Sequence, residues 1–167
     1  MIKPQTTMGR LVLLACWAAL ALAGCATPSS GVLPGNSSEA VLARMGPPTA
    51  RYPLAQGERL QYSAQPFGGS VYNVDLDAAG KVVSVQQVLD EALYGAIQPD
   101  AWTQADVLRQ FGRPALVSRV GNFNGPVWSY RYVSRDGAMR MLHVFIDPAG
   151  TVRRYQMTDE QFREPSD

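Results

Sequence analysis

Two stretches of the chain run through the same features in the same order, and this repetition limits the fold more than any other property of the sequence. Val41-Leu-Ala-Arg-Met45-Gly46-Pro-Pro48 sits over Val107-Leu-Arg-Gln-Phe111-Gly112-Arg-Pro114. Leu60-Gln-Tyr62 sits over Trp128-Ser-Tyr130, and Tyr72, Val74 and Leu76 sit over Leu142, Val144 and Ile146. Asp77-Ala-Ala-Gly80-Lys-Val82 then matches Asp147-Pro-Ala-Gly150-Thr-Val152. The spacing grows from 66 residues (Gly46 to Gly112) through 68 (Tyr62 to Tyr130) to 70 (Gly80 to Gly150). Loops tolerate the small insertions that such drift requires. Two copies of so long a unit are not an array of short repeats. The expectation is an internal duplication, with two half-domains around one shared core.

Within each unit the local signals read helix, then antiparallel meander. Thr103-Gln-Ala-Asp106 is a capping-box pattern, Val107, Leu108 and Phe111 give one apolar face, and Gly112-Arg-Pro114 stops the helix. Trp128, Tyr130 and Tyr132 alternate, Asp136-Gly137 is a hairpin signal, and Leu142, Val144 and Ile146 alternate again before the Asp147–Gly150 turn. In the first unit one of Asn36, Ser37 or Ser38 caps a helix ended by Gly46-Pro-Pro48. Strands follow at 60–64, 71–76 and 81–89, with Pro66-Phe-Gly-Gly69 as a turn. The connector 90–102 supplies a helical turn under the second unit, and Thr158 opens a short tail helix. The class is α+β, with units at 37–90 and 91–162 and a loose tail at 163–167.

Residues 1–24 read as a signal peptide. Lys3 and Arg10 precede Leu11–Ala23, an uncharged run too short to span a bilayer as a helix. The run ends Leu22-Ala-Gly24-Cys25, which resembles the bacterial lipobox, with cleavage between Gly24 and Cys25 and acylation of Cys25. Each buried CH₂ contributes about 0.8 kcal/mol, so several acyl chains would hold the protein without a spanning helix. Residues 25–36, rich in Pro, Ser and Gly, read as a flexible tether. Ala26 in place of Asp resembles the sorting pattern for the outer membrane, facing the periplasm. With Lys3 and Arg10 removed, the formal charge falls from +1 to about −1, and no basic excess remains to recruit nucleic acid. Cys25 is then the last thiol, and lipidation leaves no disulfide to form within the chain.

The second unit, quoted through Thr103-x-x-x-Val107, Gly112-x-Pro114, Trp128-x-Tyr130 and Asp147-x-x-Gly150-x-Val152, resembles the SmpA/OmlA (BamE-type) small outer-membrane lipoproteins. The resemblance covers about 97–157 well and 37–89 less well, where Leu60 replaces the Trp. It implies a helix-plus-antiparallel-sheet fold and protein contacts at the outer membrane, in support of barrel assembly. A doubled unit is more similar to the secreted β-lactamase-inhibitor protein, which implies a sheet face that grips another protein.

Catalytic chemistry finds little support. His143 is the only histidine, with no nucleophile or carboxylate placed for it by a local motif. Asp75 and Asp77 share a strand face, with Asp75 read as solvated and Asp77 as part of the turn. No His or Cys cluster implies a metal, and no Gly-rich loop implies a phosphate or cofactor. What remains is surface. Met141, His143 and Phe145 alternate on the face opposite Leu142, Val144 and Ile146, and Arg131, Arg140, Arg153 and Arg154 lie nearby. Met141, His143, Phe145, Arg131 and Arg140 form the candidate protein-binding face. An apolar second face of this kind is either covered from within or used for docking. The expected function is a noncatalytic, periplasm-facing lipoprotein that binds an envelope protein. The alternative is an inhibitor or ligand-binding module acting on a periplasmic enzyme.

Overall fold

The computed structural model describes residues 31–160, so the signal peptide, Gly24, Cys25 and the tail from 161 onward lie outside the described residues. The chain is mixed α and β: two four-stranded antiparallel sheets and three short helices among those residues. In chain order they are α1 (Ser38–Met45), β1 (Ala50–Leu54), β2 (Gly57–Ser63), β3 (Val71–Leu76), β4 (Val82–Gln87) and α2 (Glu91–Tyr94). There follow α3 (Gln104–Phe111), β5 (Leu116–Ser118), β6 (Val127–Val133), β7 (Met139–Ile146) and β8 (Val152–Asp159). Each sheet is a simple meander, β1-β2-β3-β4 and β5-β6-β7-β8.

The helices form where the caps fall. Ser37 accepts from Ala40 N–H at the start of α1, and Thr103 and Asp106 close a full capping box on α3. Eight residues cannot sustain a helix alone, so each depends on the face it buries: Val41 in α1, Val107 and Phe111 in α3. Gly46 and Gly112 end the two helices with the same backbone, φ 76° ψ −164° and φ 74° ψ −160°, a region open in practice only to glycine. The tyrosine of the following sheet then seals each end. Tyr62 OH donates to Gly46 O at 3.2 Å and Tyr130 OH to Gly112 O at 2.8 Å.

The likeness of the two halves extends to the turns. The Asp77 and Asp147 carboxylates each accept two backbone N–H groups at 2.9 Å, from Ala79 and Lys81 and from Ala149 and Thr151. A register shift follows at Asp75/Leu76 and at Phe145/Ile146. Gly57 (φ +118°) and Gly125 (φ +143°) lie against the carbonyls of Leu76 and Ile146, with no room for a Cβ.

The core is not shared as the repetition implies. Val32, Val41, Leu60, Val74, Leu76 and Val82 make one cluster between α1 and the first sheet. The larger cluster is centred on Phe111, Trp128, Tyr130, Tyr132, Leu142 and Val144. It takes Val71, Val88 and Leu89 from the first half and Tyr94 and Ile97 from the connector, which forms α2 as expected. Helix α3 explains the division. Its Val107 and Phe111 face the second core, while the carbonyls of its last turn lie on the outer face of the first sheet. Gln61 Nε2 donates to Leu108 O and Arg109 O at 3.4 and 3.2 Å, Asn73 Nδ2 to Gln110 O at 3.0 Å, and Arg59 to Arg109 O at 3.3 Å. These donors satisfy the carbonyls of Arg109 and Gln110, which a helix C-terminus leaves bare, and add a second bond to Leu108 O, already held by Gly112 N.

Four local expectations change. β1 and β5 are strands that alternation did not reveal; β1 contains Pro53 and lies at a sheet edge, where a missing N–H costs no ladder bond. Thr158 does not start a helix, because it pairs with Met141 in β8. Asp75 is not solvated; Arg59 holds it by two bonds of 2.7 and 2.8 Å, both side chains less than one fifth exposed. The tether joins the fold before residue 36. Val32 is buried, and Gly35 N donates to Val82 O while Val82 N donates to Asn36 O.

Candidate functional site

The face of the second sheet turned away from α3 carries Ser129 and Arg131 on β6 and Met141, His143 and Phe145 on β7. Its two ends have different fates. Phe145 is 3% exposed and therefore not a docking residue. The Phe123 ring meets it edge-on at 5.2 Å, and the Arg154 guanidinium lies 3.9 Å from its centroid. Aromatic and cation–π contacts of this kind close an apolar strand face from within. Arg140 also leaves the candidate set. It pairs across the sheet with Tyr132, on the side of Leu142, and its guanidinium meets Glu91, Asp136 and Asp159. Arg153 is likewise engaged by Asp147 and Asp100.

The other end stays open. A depression of about 630 Å³ has Arg131, Met141, His143, Thr158 and Glu160 along its sheet side. Pro66, Phe67, Ala115 and Leu116 line the rest. Phe67 is 92% exposed and Leu116 56%. Phe67 belongs to the β2–β3 loop of the first half, so both halves build the site. Gln65 fastens that loop by a two-point contact with one residue's backbone: Nε2 donates to Arg131 O at 2.6 Å, and Arg131 N donates to Oε1 at 3.3 Å. Arg131 adds a bond from its own guanidinium to Pro66 O and an ion pair with Glu160, which holds its charge on the protonated side.

His143 lies in a polar ladder across three strands. Its Nδ1 is 2.8 Å from Ser129 Oγ and its Nε2 2.9 Å from Thr158 Oγ1. Burial pushes its pKa below 6.5, so the neutral ring is favoured. A serine beside a histidine is the one arrangement here with a nucleophile's outline. Ser129 is 1% exposed, however, and the ring's second nitrogen faces a threonine hydroxyl, where an orienting carboxylate would stand. Sequence reading missed Phe67, Gln65, Leu116 and Glu160. Phe67 carried a faint signal, as a large apolar residue set in a Pro-Phe-Gly-Gly turn.

Among the described residues no group of His, Cys, Asp and Glu could hold a metal ion, and no helix is long and apolar enough to cross a membrane. Fold and site together define a mixed α and β protein with one sheet face covered by its own helix and the other partly open. No protein-family model matches the chain, and no curated protein matches it. Among solved structures it is similar to a DUF4309 family protein (YjgB) from Bacillus subtilis at 15% identity, covering 81% of this chain and 86% of that one, with a TM-score of 0.32.

Proposed function

We propose that this chain is a noncatalytic lipoprotein of the bacterial outer membrane, related to the SmpA/OmlA type, with acyl chains on Cys25 and the body facing the periplasm. Its body is a tandem duplication of one helix-and-meander unit, and it docks an envelope protein, a component of barrel assembly being the first choice. The observation that carries the reading is Phe67, 92% exposed beside a half-exposed Leu116 at the mouth of a depression built from both halves. Exposed apolar side chains gathered at a rim favour association, since their burial releases about 25 cal/mol per Å². Val32 enters the core, so a tether would have at most residues 26–31 and reach roughly 20 Å.

A photo-crosslinking residue at Leu116, used in intact envelopes, tests the docking. Adducts with barrel-assembly components are expected, and a single soluble enzyme in their place would make the protein an inhibitor. Metabolic labelling with an alkyne fatty acid tests the anchor: label should appear on the chain and vanish in Cys25→Ala. Label that persists in that variant overturns it.

A further inference from the structure

The turns that end the two longer helices differ at one residue, and the difference places a charge. Gly46-Pro47-Pro48 ends α1, and Gly112-Arg113-Pro114 ends α3. Pro114 confines Arg113 to extended backbone, so the side chain leaves from a fixed point. It lines a cleft of about 560 Å³ on the outer face of the first sheet, whose walls include Ala50, Tyr52, Gln61, Ser63 and Leu108. Arg113 is the one charged residue along this lining. Among the described residues it has neither an ion pair nor a hydrogen bond, in contrast to Arg131 in the other depression, which Glu160 holds.

A second group on the same wall lacks a partner. Gln61 is 1% exposed, and its Nε2 is engaged by Asn73 Oδ1 and the carbonyls of Leu108 and Arg109. Its Oε1 accepts no hydrogen bond among the described residues, and a polar atom so placed calls for a donor. Gly112 makes room for it, since a Cβ there would lie 2.8 Å from that oxygen. Arg113 and Gln61 Oε1 thus flank the same glycine, one suited to an anion and the other to an N–H. We infer that this cleft binds a carboxylate with an N–H on the adjoining carbon, as in an N-acylated amino acid or the free C-terminus of a peptide. The carboxylate meets the fork of the Arg113 guanidinium, the N–H donates to Gln61 Oε1, and an apolar side chain lies against Ala50 and Leu108. The hydroxyls of Tyr52 and Ser63 are further donors to the carboxylate; Ser63 Oγ accepts from Gln65 N at 3.2 Å and keeps its own proton to give. An exposed ion pair contributes little alone, so the two contacts together set the ligand class. The site lies on the first sheet and is independent of the docking reading.

The test titrates the whole chain with N-acetyl-leucine, read by methyl chemical shifts and calorimetry. Shifts at Thr49, Ala50 and Leu108 are expected, with affinity falling about tenfold for N-acetyl-leucinamide, which lacks the charge, and about tenfold for the ester analogue in which oxygen replaces the N–H. Arg113→Gln should weaken the acid about tenfold and leave the amide unchanged. Arg113 is exposed, so the fold survives the change. Equal binding of acid and amide overturns the site, and so does an Arg113→Gln chain that holds the acid as tightly as the native one. An ester that binds as well as the acid removes the part given to Gln61 and overturns the ligand class. Absence of binding, or shifts at Met141 and Leu116 in place of Ala50 and Leu108, also overturns the inference. Inorganic phosphate that displaces N-acetyl-leucine at equal affinity makes the cleft a general anion site and overturns the carboxylate. A longer peptide ending in the same leucine separates the two sources: tighter binding assigns the cleft to a chain terminus and equal binding to a free amino-acid derivative, and either result upholds the site.

Discussion

The two halves keep the same skeleton and differ in what lies on the outside of their sheets. Tight turns, helix-ending glycines and tyrosine seals recur in both, because backbone geometry dictates them. Outward-facing residues recur in neither. Where the first sheet carries the Arg59–Asp75 pair and the Gln61–Asn73 pair, the second carries Val127–Phe145 and Ser129–His143. The first pair set is polar because its cover is the carbonyl end of α3; the second is apolar at one end because its cover is Phe123 and the face of Arg154. A strand's outer face is thus fitted to the neighbour that covers it.

The largest expected effects test the shared skeleton. An alanine Cβ at Gly57 would stand 2.0 Å from Leu76 O, and at Gly125 2.1 Å from Ile146 O, each in a backbone region that side chains rarely adopt. Gly57→Ala and Gly125→Ala should each destabilise by more than about 3 kcal/mol in urea unfolding. Tolerance at one site and not the other would break the equivalence of the halves. The next contrast concerns the faces. Gln61→Leu leaves an oxygen of Asn73 without its donor and removes one of two donors from each of Leu108 O and Arg109 O, which keep Gly112 N and Arg59, with a loss of about 2 kcal/mol. Ser129→Ala, at the matching position, removes only the hydroxyl beside His143 and should cost about 1 kcal/mol. Equal losses would mean that α3 is held by its apolar face alone. Phe67→Ala should leave stability within about 0.5 kcal/mol, since that ring is already in water.

The skeleton was legible and the faces largely were not, for a physical reason. Thr103 with Asp106, the Asp-x-x-Gly turns and the alternation from Leu142 to Ile146 are local signals, each written within a few residues. The cover of Phe145 comes from Phe123, in an irregular loop, and the grip on Arg131 comes from Gln65, far away in sequence. No local pattern announces either. β1 was hidden by Pro53 and β5 by its length of three residues. Arg140 is a different kind of miss, because period two already placed it with Leu142 and away from Met141. Its three acidic partners, Glu91, Asp136 and Asp159, lie on separate elements and meet only in the fold.

The smallest effect expected is the pH dependence of the second face, which the first cannot share because Asn73 stands where His143 does. Burial disfavours the imidazolium, so the folded pKa lies below the ordinary 6.5. Above that value both folded and unfolded chains hold a neutral ring, and the group contributes nothing to pH dependence. As pH falls through 6.5 the unfolded chain takes up the proton first, and stability declines until the folded pKa is passed. The carboxylates of Asp106, Asp136 and Asp147 also have lowered pKa values, held down by hydrogen bonds from their own turns and caps. Their stabilisation is lost only around and below the ordinary 3.8, so the two windows separate. Urea midpoints between about pH 7 and pH 5 should therefore fall in the native chain and stay nearly flat in His143→Asn, which gives the second sheet the residue of the first. A slope that survives this substitution would place the titrating group elsewhere and leave Ser129–His143–Thr158 as an inert ladder.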